Sequence, residues 1–204
     1  GPRKHRMKLY TPLHVHTHYS LLDGLSKPKD IVKRCKTIGA TSCAITDHGS
    51  ISGAVQFYQQ LKSNNIKPIL GCELYISKKC SKEKKKENAK LEHLVVLCKN
   101  LQGWKTLIKI VSESNHPDRF YHKPRVDLDT LGDLLDGNII AITGHLGSTL
   151  ANRIVVEDNI SDSWKKDATN HISHLHDIFG KENVFEIDKE EMYNMKPYSN
   201  WTYW

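Results

Sequence analysis

No stretch of this sequence stays apolar for the roughly 18–20 residues that a membrane-spanning helix needs, so no membrane partner is expected. Paired CxxC spacings are also missing. The five cysteines (Cys35, Cys43, Cys72, Cys80 and Cys98) stand alone and scattered. An odd, dispersed set argues against a disulfide framework and predicts reduced, mostly buried thiols in a cytoplasmic setting. Acidic surplus is lacking as well: 30 Lys and Arg against 23 Asp and Glu leave a net charge of +7. That balance favours a polyanionic partner such as nucleic acid. The basic start, residues 1–8, has no apolar core behind it and so is not read as a signal peptide, and Gly1-Pro2 has the form of a tag remnant. No internal repeat is visible.

What is present is enough chain for one domain with a substantial core: 204 residues, 38% hydrophobic and 26% charged. Strands are expected at 10–15, 43–46, 68–71, 94–98, 138–142 and 183–187. Helices are expected at about 28–38 with Ser26 as N-cap, then at 51–63, 101–114, 128–135, 148–156 and 163–179. Residues 77–90 hold seven lysines and two glutamates and read as a mobile surface loop. The polar, aromatic tail at 188–204 shows no period. Strands alternating with helices predict an α/β protein with a parallel sheet, whose chemistry gathers at one end of the strands.

Polar residues do gather there. His14-Val15-His16 puts two imidazoles on one face of a strand, and His18 follows. Asp23, His48, Glu73, His93 and His145 each stand at another strand–loop junction. Taken alone, each has an ordinary structural explanation. Together they form an imidazole and carboxylate set suited to zinc, manganese or iron. Glu73 could bridge two ions at the spacing of about 3.5–4 Å that two-metal phosphoryl chemistry requires. His171, His174 and His176 lie within a predicted helix and are expected to form a solvated face.

Three stretches carry a resemblance: His14-Val15-His16-Thr17 through Gly24, Ala44-Ile45-Thr46-Asp47-His48-Gly49, and Gly53 to Tyr58 followed by Ile66 to Glu73. Weaker matches are His93–Leu97, Tyr121-His122-Lys123-Pro124-Arg125 and Ile142–Gly147. Over residues 9–187 the sequence resembles the polymerase and histidinol phosphatase (PHP) domain. Within that family it looks like the domain that opens bacterial DNA polymerase III alpha subunits. The resemblance implies a distorted seven-stranded β/α, TIM-like barrel with a site for up to three divalent metals. By the same resemblance, His14, His16 and Glu73 hold the first metal. Glu73, His93 and His145 hold the second, and Asp23 and His48 belong to the third. Position 145 is usually cysteine in the polymerase branch, and histidine there is a competent ligand.

One departure matters. The family closes its ligand set with Asp-x-His on the seventh strand, and this chain contains no Asp-x-His. The barrel is therefore expected to lack its last strand, with another chain or further polymerase segments completing it. The implied function is 3′→5′ exonucleolytic cleavage of DNA, as a single strand or 3′ end. Glu73, His48 and Arg125 would be catalytic, with Lys123 and Arg125 holding phosphate. The alternatives are a non-catalytic, partner-binding module, its aromatic tail a docking surface, and a small-molecule phosphatase of the histidinol phosphate type.

Overall fold

Pro28 decides where the first described helix begins. Its ring presets φ and needs no N–H partner, so it takes the first turn of α1 (Pro28–Ile38), and the N-cap is Lys27 rather than the expected Ser26. The computed structural model describes residues 27–143, 149, 151–156 and 159–185. The expected strand at 10–15 and the tail at 188–204 lie outside them. After α1 come β1 (Ser42–His48), α2 (Ala54–Ser63), β2 (Lys67–Ser77), β3 (Leu91–Cys98), α3 (Leu101–Ser114) and α4 (Leu128–Leu134). Then follow β4 (Ile139–Ile142), α5 (Ala151–Ile154), the short pair β5 (Val155–Val156) and β6 (Asn159–Ile160), α6 (Trp164–Phe179) and β7 (Val184–Phe185).

The main sheet runs β1-β2-β3-β4-β7. β1 and β2 are parallel, as are β4 and β7, but β3 is antiparallel to both its neighbours. The purely parallel sheet expected from the sequence is thus corrected at β3. No crossover helix joins β2 to β3. Residues 78–90 return the chain directly, and a direct return makes antiparallel neighbours. This reversal carries the start of β3, with His93, to the edge where β1 and β2 end. Among the described residues the five strands do not close into a barrel.

Alternation divides the two faces of the sheet. On the outer face, Cys72, Leu74, Ile76, Leu94, Val96, Ile139 and Ala141 pack under α3, α4 and α6. Cys43 and Ile45 pack under α1 and α2, against Ile31, Val32, Cys35, Phe57 and Leu61. The inner face gathers Ala44, Ile69, Val95, Leu97, Ile140, Ile142 and Phe185, all from strands. Val55 and Tyr58 are 61% and 38% exposed, because α2 turns Ala54, Phe57 and Leu61 to the core. Leu101 and Ile108 on α3 are also exposed, at 68% and 39%. Val55, Tyr58 and Leu101 border a groove of about 920 Å³ at the far end of the sheet from His48. Cys35, Cys43 and Cys72 are buried, Cys98 is half-buried and Cys80 exposed, all as free thiols. Among the described residues no helix is long and apolar enough to cross a membrane.

The lysine-rich loop is not the mobile segment expected. Arg125 lies beneath it, fully buried, and donates from Nη1 to the Asn88 carbonyl (2.6 Å) and from Nη2 to those of Ser81 and Glu83 (2.8 and 2.9 Å). Asn88 Nδ2 donates to the carbonyls of Cys80 and Glu83, and its Oδ1 accepts from the Lys79 N–H. The Asp127 carboxylate accepts from the N–H and hydroxyl of Ser81 and also caps α4 through Thr130. Burial alone would raise the Asp127 carboxyl, but these hydrogen bonds outweigh it and hold the group below the usual carboxylate range.

The histidine-rich helix differs from expectation too. His171 on α6 is buried at 5% exposure beside Ala168, Leu175 and Phe179, its Nε2 2.7 Å from Thr149 Oγ1. Burial first, then the charges of Arg153 and His174, push its pKa down to about 4 from the ordinary 6.5. The unfolded chain therefore binds more protons between these values. Stability from His171 is complete above pH ~6.5 and is lost as pH falls toward ~4. Moving from pH 7 to 4.5 is expected to cost about 2–3 kcal/mol through this residue. Urea unfolding at both pH values checks it, because His171→Gln should remove that part of the pH dependence.

Candidate metal centre

Strand register assembles the site. His48, the last residue of β1, pairs with Glu73 on β2, and Tyr75, two residues on, pairs with His93 on β3. Glu73 and Tyr75 are separated by one residue and so share a face, the inner one. Asp47, one residue before His48, is buried on the other side. Gly49 then turns the chain away with φ 61°, and its N–H donates to the Glu73 carbonyl at 2.9 Å. A Cβ there would lie 2.9 Å from Pro124 Cγ and 3.2 Å from the Tyr75 ring, so only glycine fits.

At the centre is the Glu73 carboxylate, 2% exposed. His93 Nδ1 is 2.6 Å from Oε1, and His48 Nδ1 is 3.3 Å from Oε2. A carboxylate this deeply buried needs compensating partners, and His93 supplies a hydrogen bond while His48 stands close by. Tyr75 forms one wall: its ring stacks on His48 at 5.9 Å and 18° and meets His93 edge-on at 5.2 Å. Lys123 brings Nζ to 4.7 Å from the centre of the Tyr75 ring. His48 is 10% exposed and His93 32%, so the cluster opens to solvent on the His93 side.

One ligand atom each from His48, Glu73 and His93 falls within 4.8 Å of the others. Ions bonded at about 2.0–2.2 Å need donors roughly 3–4 Å apart, which small side-chain adjustments would reach. Two imidazoles and a carboxylate are also a donor set that first-row divalent ions accept. The residues present therefore fit a metal.

The profile of the PHP domain matches residues 12–189. The chain belongs to the PHP domain family. Its relatives include DNA polymerase III subunit alpha of Chlamydia pneumoniae, 39% identical over 70% of this chain and 12% of that protein. The subunit of Borreliella burgdorferi is 36% identical over 87% of this chain and 15% of its own length, and that of Treponema pallidum 33% identical over 86% and 14%. The chain thus spans only 12–15% of the length of these polymerase subunits. A solved structure assigned as a metal-dependent phosphoesterase, from Bifidobacterium adolescentis, aligns with TM-score 0.46 and 12% identity over 80% of this chain and 74% of its own.

Of the residues singled out in the sequence, this PHP chain brings together His48, Glu73 and His93, with Lys123 beside them. His14, His16, Asp23 and His145 lie outside the described residues. Thr149 does return to the site, its N–H donating to the His93 carbonyl at 3.1 Å. Arg125 is a correction. It is fully buried, and its Nε and both terminal nitrogens donate to backbone carbonyls, so it has no access to a phosphate. Tyr75 is the residue sequence reasoning missed. Extending β2 past Gly71 would have placed it on the face of Glu73.

Proposed function

We propose that this PHP domain is a metal-dependent phosphoesterase that acts on nucleic acid and removes nucleotides from 3′ ends. The observation that carries this reading is the His48–Glu73–His93 cluster. By family resemblance, His14, His16, Asp23 and His145 are the proposed further ligands, with Glu73 bridging. The apolar inner face, contributed by strands alone, supports a barrel of the PHP type. Further polymerase segments, in the same chain or another, would complete it.

Bound zinc, manganese or iron would supply Lewis-acid polarisation of the phosphodiester and a water of lowered pKa. The protein's own residues do the rest. Glu73 orients His93 through its Nδ1 and lies 3.3 Å from Nδ1 of His48, which keeps the three side chains gathered around one point. Tyr75 walls the site and holds Lys123 against its face. On this reading the Lys123 ammonium, 4.7 Å from the centre of the Tyr75 ring, meets a non-bridging phosphate oxygen.

Release of nucleotides from 3′-labelled single strands with Mn²⁺, alongside metal content, tests the reading. The expected result is metal-dependent release, with Lys123→Ala raising KM about tenfold and changing kcat less than threefold. No Mn²⁺-dependent release, with fewer than one metal per chain, would overturn it in favour of a non-catalytic module.

A further inference from the structure

We infer that the loop 78–90, together with the neighbouring aromatic turn at 120–122, is a preformed binding track for single-stranded nucleic acid. The inference deepens the phosphoesterase reading by naming the strand that would feed the site, and it rests on that reading for the ligand's class. The loop carries seven lysines and two glutamates, a net +5 within a chain of net +7. All seven lysines are exposed. Such a run ordinarily repels itself into disorder. Here a buried arginine, a buried asparagine and a buried aspartate fix the backbone beneath it. Holding the lysines in place beforehand lowers the ordering cost of binding.

Its position is set by register. Ser77 and Leu91, which bracket the loop, form the next pair but one beyond Tyr75 and His93. Along a strand, two residues cover roughly 7 Å, so the loop starts at the rim of the metal cluster. Lys84 Nζ donates to the Pro117 carbonyl and ties the loop to the segment that follows α3. There Phe120 is 42% exposed and His122 is exposed in the left-handed region at φ 61°, its ring 4.4 Å from that of Tyr121. A non-glycine residue rarely adopts that conformation. It is held by the Tyr121 N–H donating to the Lys123 carbonyl, and Lys123 reaches into the metal site. Lysines that follow a backbone, beside aromatic rings that accept unstacked bases, are the two parts of a single-strand site. The loop exposes no aromatic or long aliphatic side chain of the kind that enters a lipid interface.

The test is fluorescence anisotropy in EDTA with labelled oligo-dT, oligo-U and a duplex, across a salt series. Lys82→Gln, Lys85→Gln and Lys86→Gln combined should reduce the slope of log affinity against log salt by about 2. The control Lys33→Gln, Lys105→Gln and Lys109→Gln makes the same charge change on α1 and α3 and should leave that slope within about 0.5. Phe120→Ala should weaken oligonucleotide binding about tenfold and duplex binding less than twofold. Tighter binding of either oligonucleotide than of the duplex supports the track, and the tighter one identifies it as DNA or RNA. Equal effects of the two triple variants, or preference for the duplex, would overturn it. Mn²⁺ calorimetry separates the two ideas: wild-type protein that takes up no Mn²⁺ sinks the phosphoesterase reading alone, and a reduced slope in the first triple variant still establishes the track.

Discussion

Glu73→Gln is expected to weaken divalent-metal binding by about 100-fold or more and to lower metal-dependent cleavage by about 10³-fold. The reason is that the whole cluster is arranged around this carboxylate. It is 2% exposed, His93 Nδ1 is hydrogen-bonded to one oxygen at 2.6 Å, and His48 Nδ1 lies 3.3 Å from the other. Glutamine keeps the volume and one carbonyl oxygen but removes the negative charge and puts an NH₂ toward one histidine. The fold should tolerate the exchange, because glutamine is neutral, nearly isosteric and still able to hydrogen-bond to an imidazole. Calorimetry with Mn²⁺ and a cleavage assay on the same preparations would read both effects, with urea unfolding as the control for folding. Unchanged Mn²⁺ affinity in Glu73→Gln would remove the His48–Glu73–His93 cluster as the metal site. A loss of stability beyond about 3 kcal/mol would instead make Glu73 chiefly a structural acid.

How the cluster could be read in advance differs residue by residue. Local pattern sufficed for α3, whose predicted bounds, 101–114, are those found. It sufficed for the delivery of His48 by a short apolar strand as well. It failed at β2 for a physical reason. Beyond Gly71 the inward positions are Glu73 and Tyr75, polar and aromatic groups that face a site instead of an apolar core, so the apolar run breaks although the strand continues to Ser77. Strand direction left no trace either, since alternation has the same period in both senses. His93 stands at the start of its strand, and only the reversal of β3 brings it beside Tyr75 and Glu73. His171 was legible and missed. Ala168, His171, Leu175 and Phe179 recur at helical spacing, and the histidine takes a place on that buried stripe. Pro124-Arg125 was the opposite case: a basic residue near a predicted phosphate site, whose burial depends on carbonyls 37 to 44 residues away along the chain.

That arginine is where the largest change in stability is expected. Arg125→Met should destabilise the protein by about 3–5 kcal/mol. Methionine can occupy much of the space but donates nothing, so the carbonyls of Ser81, Glu83, Asn88 and Arg119 would all lose a donor. Burial pulls the guanidinium down from its ordinary value, yet arginine stays charged at neutral pH, and each of these bonds is charge-assisted. Arg125→Lys should recover less than half of the loss, because one ammonium cannot span carbonyls that the planar fork reaches from three nitrogens. The damage should also be local. In Arg125→Met, amide hydrogen exchange should quicken across residues 79–90, while the amides of α3 keep their protection relative to the lowered global stability. Salt-dependent binding of single strands should weaken alongside, although every lysine of the loop remains, because the loop would then have to be ordered by the ligand. Undiminished stability together with unchanged exchange in 79–90 would show that Asn88 and Asp127 hold the loop without the arginine.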